Sequence, residues 1–324
     1  MPGDGTGILP ELSPEVSDAL RAGRPVVALE TAVLTHGLPR APMAAPGGIA
    51  GWDASIPANL ALSTLLERTV RAAGAVPATV AMVDGRLHAG VTPDMLGRLA
   101  EDTGARKLSA RDLGPAAAQR ASGGTTVAGT LVAAAIAGIR VFATGGIGGV
   151  HRGWTERPDV SADLSALARA PVAVVSAGAK SILDLPATVE ALDALGVPVV
   201  GLGTDRFPRF ISPGDASLGV SAVAADAREA ARLCAAHWRF NPSTGLLVAN
   251  PPPAAHAIPA AEMESVIARA VEEADRRGIR GAAITPFLLD AVQRATGGRA
   301  TAANVAVLVA NAHAGAEIAR ALHS

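Results

Sequence analysis

The chain has 324 residues, of which 49% are hydrophobic and 35 are glycine, and its formal net charge is -1. That is apolar material for a sizeable core, and a balanced charge with no run of Lys or Arg excludes the electrostatic footprint of a nucleic-acid polymer partner. The single cysteine, Cys234, excludes an internal disulfide and a Cys-based zinc cluster, and within the helix-patterned segment 224–238 it reads as a small buried hydrophobe.

The opening MPGDGTGILPELSPEV has neither a basic n-region nor an apolar h-region, so no secretory signal is read there and a cytoplasmic setting is expected. Residues 13–22 read as a helix, and 25–29, PVVAL, as a buried strand that ends directly in Glu30. Residues 41–56, APMAAPGGIAGWDASI, are rich in Pro, Gly and Ala without periodicity and read as a surface loop or insertion. A helix over 59–73 and a strand over 76–83 follow. The longest uncharged run, 121–139, is broken by Gly and Thr and only just reaches spanning length, so it reads as a buried helix over 125–137 and no membrane association is expected.

Strands over 140–144, 171–176, 198–202 and 245–249 then alternate with helices over 161–168, 186–195, 224–238, 259–277 and 301–322. TPFLL, at 285–289, reads as one more helix start. This alternation predicts an α/β fold with a mostly parallel central sheet. No fixed-period repeat and no linker divides the chain, so residues 1–324 are expected to form a single domain.

In such sheets ligands collect at the carboxyl ends of the strands, and the unusual residues fall there: Glu30, the loop TGGIGGVHRG at 144–153, and Lys180 in SAGAKS. Lys180 alone reads equally as a solvated loop lysine. Glu30 is a carboxyl at the end of a buried strand, where desolvation raises its pKa toward an acid/base range, or else the partner of a nearby Arg. The glycine loop matches neither a dinucleotide fingerprint nor a Walker sequence; it offers a tight turn or backbone N–H groups for an anion. PDVSAD supplies Asp159, Ser161 and Asp163, which could cap the following helix or present oxygens to a hard divalent ion. His36, His88 and His151 lie on separate segments without metal-ligand spacing, and Asn304 stands early in an apolar helix where its amide needs a partner.

PVVALETAVLTHGLP, AGAVPATVAMVDG, GGTTVAGT, VFATGGIGGVHRG, DVSADL, SAGAKSILDLPATVEAL, GVPVVG, GLLVANP, TPFLL and ANVAVLVANA follow one another in this chain. In that order and spacing the sequence resembles the pseudouridine-5'-phosphate glycosidases, also called the indigoidine synthase A family, over about residues 13–322. The resemblance implies a trimeric α/β/α sandwich that cleaves or makes, with Mn2+, the carbon–carbon bond between C1 of ribose 5-phosphate and a base. It implies Lys180 as the nucleophile that bonds to the opened sugar, Glu30 as proton donor and Asp159 as the metal ligand. Ser161, Ala162 and Asp163 would lie beside the sugar phosphate, and Leu108, Thr125 and Asn304 would line the substrate.

The chemistry is consistent with that set. A C-glycoside offers no lone pair on the leaving atom for a carboxylic acid to protonate, so the usual two-carboxylate route is closed. An amine adding to C1 of the ring-opened sugar lets electrons flow into the base, leaving an imine on lysine that water releases. The chain departs from the family pattern in having ALETA for ALEST, SARDL for SRRDL at 109–113, no Arg-x-Asp near 223–225, and His88 where the resemblance sets a substrate-binding lysine. These departures motivate an alternative activity, a C-ribosyl synthase of specialised metabolism that joins ribose 5-phosphate to a carbon nucleophile other than uracil. A non-catalytic sugar-phosphate binding protein is the third reading.

Overall fold

The computed structural model describes residues 10–156, 158–279 and 284–324. The N-terminal stretch read as lacking a signal lies outside the described residues through position 9. The strands are β1 (Glu11–Leu12), β2 (Val26–Leu29), β3 (Val76–Val83), β4 (Arg86–Ala89), β5 (Arg106–Leu108), β6 (Gly123–Thr125), β7 (Val141–Ala143), β8 (Val150–His151), β9 (Ala173–Ser176), β10 (Leu183–Asp184), β11 (Val199–Leu202), β12 (Ala222–Ala224) and β13 (Leu246–Ala249). The main sheet runs β1-β4-β3-β2-β7-β9-β13-β11-β12, and β8 and β10 form a separate antiparallel pair.

Its centre, from β3 through β2, β7, β9 and β13 to β11, is parallel throughout. All six of these strands were expected from their apolar runs, and both faces are covered because each connection passes through a helix. One face packs on the helices Ala58–Ala72, Ala227–Phe240 and Arg299–Ala321; the other packs on Val127–Ala137, Ala162–Leu167, Leu185–Ala194 and Ala260–Arg276. The result is a single-domain α/β/α sandwich, the architecture expected above.

β3 outruns its parallel partners. Beyond Thr79, the last residue registered with β2, it continues to Val83 and pairs antiparallel with β4 on one side and β6 on the other. This small extension stands over the carboxyl ends of the central strands. Residues 41–56 form a loop with one 3-10 turn, Pro46–Gly48, and are tied at their end by a bridge from Pro42 to Pro57 and by Trp52 Nε1 donating to the Met43 carbonyl at 3.0 Å. Cys234 is fully buried, and burial pushes its thiol up to about 12, in keeping with a hydrophobe rather than a reactive group. Among the described residues no helix is long and apolar enough to cross a membrane.

Candidate active site

At the carboxyl ends of β2, β7 and β9 the chain assembles a cluster of charge. Glu30 follows β2, and the Thr144 hydroxyl, which follows β7, donates to its Oε1. The residue keeps some contact with solvent, yet burial raises its pKa above the ordinary glutamate value, against the pull of Lys180 and the Thr144 hydrogen bond, with Asp163 adding to the rise. The cation acting most on Glu30 is Lys180, so the alternative of an Arg partner falls away.

Lys180 owes its position to the glycine loop. Ile147 N–H donates to the Gly178 carbonyl at 3.0 Å and Lys180 N–H donates back to the Ile147 carbonyl at 3.1 Å. Gly178 takes φ +70°, and a Cβ there would stand 2.1 Å from the Pro208 carbonyl oxygen, so only glycine admits the turn that aims the lysine.

The anion held by the glycine loop is the chain's own. Asp163, 6% exposed, accepts from Gly148 N–H at 2.8 Å with Oδ2 and from Ala128 N–H at 3.0 Å with Oδ1. It thereby ties the loop after β7 to the first turn of the helix Val127–Ala137. Ser161 caps the helix Ala162–Leu167, its Oγ accepting from Asp163 N–H at 3.2 Å, and Ala162 is exposed beside it. Asn304 lies against the same loop, its Oδ1 3.1 Å from where a Cβ of Gly145 would be.

Thr125 and Leu108 are framework. Thr125 is fully buried, donates from its hydroxyl to the Val80 carbonyl at 2.9 Å, and donates from its backbone N–H to the Thr31 hydroxyl oxygen at 3.1 Å. Leu108 is fully buried in the core, with its carbonyl accepting from Thr126 N–H at 2.9 Å. Both brace the site.

His88 is not brought to this cluster. Register pairs it with Ala81 on β3 and Glu11 on β1; its Nδ1 lies 3.6 Å from Glu11 Oε2, and the charges acting on it are those of Glu11, Arg86 and Asp84. The basic residue that does reach the site is Lys107, on β5. Although much of its side chain meets solvent, desolvation and the neighbouring Lys180 charge lower its pKa, while Glu30 and Asp163 pull it up. Sequence reasoning also passed over Asn311, 1% exposed, whose amide donates to the Thr144 carbonyl at 2.7 Å and fixes the residue that holds Glu30.

Asp159 stands at the edge of the cluster, its side chain 45% exposed and its Oδ2 3.9 Å from His151 Nδ1. Burial lowers the His151 pKa, opposed by Asp159 and reinforced by Lys180. Among the described residues no three His, Cys, Asp or Glu side chains are grouped to cage a metal. One accessible carboxylate, with an imidazole alongside, fits a hard divalent ion that keeps most of its water; it does not fit a structural metal.

A buried carboxyl whose pKa is raised, two lysines and a rim aspartate at the carboxyl ends of parallel strands define an enzyme acting on a small anionic molecule. Residues 15–321 match the family model described as indigoidine synthase A like protein, and the chain belongs to that family. It is 47% identical over 311 residues to the pseudouridine-5'-phosphate glycosidase of Herpetosiphon aurantiacus, with 96% of this chain and 97% of the relative covered. To that of Chloroflexus aurantiacus it is 48% identical over 312 residues, with 95% and 97% covered. Among solved structures, the prealnumycin C-glycosynthase AlnA in complex with ribulose 5-phosphate superposes with a TM-score of 0.87 at 39% identity, covering 98% of each chain. An indigoidine synthase A-like protein of Thermotoga maritima superposes with a TM-score of 0.83 at 31% identity, covering 98% of this chain and 97% of that one.

Proposed function

We propose that the protein is a C-glycosidase that reversibly breaks the carbon–carbon bond between C1 of ribose 5-phosphate and a base, pseudouridine 5'-phosphate giving uracil and ribose 5-phosphate. The observation that carries the reading is the raised pKa of Glu30 beside Lys180. Glu30 in its protonated form donates to the ring oxygen as the sugar opens, and the Lys180 amine adds to C1. The C1–base bond then breaks, its electron pair passing into the base, which takes up a proton at carbon. The imine left on Lys180 adds water and releases ribose 5-phosphate, restoring the amine.

Lys107, set close to Lys180 and Glu30, supplies positive charge for the anionic substrate, and Asn304, against Gly145 of the glycine loop, offers it an amide. Asp163 serves by holding the loop rather than by touching the sugar, since both its oxygens are taken by backbone N–H groups. Asp159 would hold Mn2+, with His151 next to it, and the ion would supply charge to draw substrate oxygens to the rim. The homotrimer belongs to the same proposal: Trp154 and Val160, 41% and 52% exposed on either side of Asp159 in sequence, are apolar surface that another copy would cover. A soluble cytoplasmic enzyme is the matching setting.

The second reading, a C-ribosyl synthase with a non-uracil acceptor, is favoured by the likeness to the C-glycosynthase AlnA. His88 no longer argues for it, because the residue faces Glu11. An equilibrium assay with ribose 5-phosphate and uracil, set against other heterocycles and quinonoid acceptors, separates the two. Formation of pseudouridine 5'-phosphate as the major adduct supports the first; no uracil turnover with adduct on another acceptor replaces it with the second.

A further inference from the structure

Thr144 is 1% exposed, and its backbone is held on both sides. Its N–H donates to the Val175 carbonyl at 3.0 Å, and its carbonyl accepts from Asn311 Nδ2 at 2.7 Å. Asn311 cannot turn its amide over, because its Oδ1 accepts from Asn250 Nδ2 at 2.9 Å and a flipped amide would set oxygen against the Thr144 carbonyl. Asn250 is anchored in turn by its N–H, which donates at 2.8 Å to the carbonyl of Ser176, the last residue of β9. The Thr144 hydroxyl is therefore aimed, and its partner is Glu30 Oε1.

A hydroxyl has one proton to give, and here that proton has one acceptor among the described residues. Were Thr144 to accept from a protonated Oε1, its own O–H would be left unmet inside the protein, at the full cost of a buried orphaned donor. Thr144 thus donates to Oε1 whether the carboxyl is neutral or charged, and the acid form of Glu30 carries its proton on Oε2. Oε2 has no hydrogen-bond partner among the described residues and is not shut away from solvent, so it is the oxygen that a substrate can reach.

We propose that Thr144 is a positioning residue that fixes the acidic proton of Glu30 on Oε2 and steadies the carboxylate as that proton leaves; the inference rests on the reading of Glu30 as proton donor. As the Oε2–H bond breaks, an O–H bond forms at the ring oxygen, which takes the electron pair of its bond to C1. The negative charge left on the carboxyl strengthens the bond from Thr144. An interaction that is stronger after proton transfer than before it lowers the barrier to that transfer.

Thr144→Val keeps the shape and removes the hydroxyl, whereas Thr144→Ser keeps the hydroxyl. With pseudouridine 5'-phosphate, Thr144→Val should lower kcat about tenfold, the difference between a neutral and a charge-assisted bond, with KM little changed, and Thr144→Ser should recover most of the loss. The alkaline limb of kcat, where Glu30 gives up its proton, should move to higher pH in Thr144→Val. Lys180, Lys107 and Asp163 still act on the carboxyl there, while the bond that favours its charged form is gone. The same titration is read without turnover from the carboxyl C=O infrared band that Glu30→Gln removes. Should the valine variant not fold, Thr144→Cys, a weaker donor, gives a shift of the same sign. A titration that stays put or moves to lower pH overturns the proposal, as do full activity in Thr144→Val and a serine variant no better than valine. A wild type that does not turn over pseudouridine 5'-phosphate defeats the functional reading instead, and the infrared titration still decides where the proton sits.

Discussion

Replacing Asp163 by Asn tests whether this carboxylate braces the glycine loop or binds the sugar. In the wild type both oxygens accept from backbone N–H groups, Ala128 at 3.0 Å and Gly148 at 2.8 Å, inside a residue that is 6% exposed. Asn keeps one acceptor and turns an NH2 toward the other N–H, so one bond to a charged group is lost and the second becomes neutral. At about 1.5–3 kcal/mol for the first and about 1 kcal/mol for the weakening of the second, less the saving from burying an uncharged group, the net cost is about 3 kcal/mol. With an unfolding entropy of about 2.1 cal/mol/K per residue, a chain of 324 residues loses about 4 °C in Tm for that cost. Differential scanning calorimetry measures it, alongside steady-state kinetics. The account expects the drop in Tm together with a fall in kcat, as the loop that sets Lys180 loosens. An unchanged Tm with a raised KM for the sugar phosphate would show that Asp163 contacts substrate and that the bracing argument is wrong.

Glu30→Gln should abolish turnover and remove a pH-dependent loss of stability. Because folding raises the Glu30 pKa, its stabilising contribution is complete below the ordinary glutamate value and lost as pH rises through the raised one; melts from pH 4 to 8 should show the variant gaining on wild type as pH rises, and parallel curves would contradict the burial. Asp159→Ala, at a residue with its side chain 45% exposed, should cost less than about 1 kcal/mol of stability while removing Mn2+ stimulation of turnover, as chelator does to the wild type. A large loss of stability with metal dependence intact would make Asp159 structural. Gly178→Ala forces a side chain into φ +70° and against the Pro208 carbonyl, and should cost about 3 kcal/mol in urea denaturation, whereas a shift under 1 kcal/mol would mean the turn can relax.

The parallel sheet was legible because buried strands such as VVAL and AVVS are uninterrupted apolar runs. The extension of β3 was not, since β5 and β6 are RKL and GGT, three residues each, with no alternation to read. Lys107 was lost with them: a cation between Arg106 and Leu108 looks like solvated surface until β5 carries it to the carboxyl end of the sheet. Lys180 and Glu30 could be found because a charge beside small or apolar residues at a strand end contradicts its surroundings. Asp163 was visible beside Ser161 as a carboxylate of the site, while its pairing with Gly148 and Ala128 depends on folding and leaves no mark in the sequence. Asn311 left a signal that went unused, a lone amide deep in a buried helix, the same signal that drew notice to Asn304 seven residues earlier.

The central claim is a covalent imine between Lys180 and the opened sugar. Incubation with ribose 5-phosphate and sodium borohydride, followed by peptide mass spectrometry, should place one reduced pentose phosphate on Lys180 and none on the Lys180→Ala variant. Equal labelling of that variant, or labelling centred on Lys107, would contradict it.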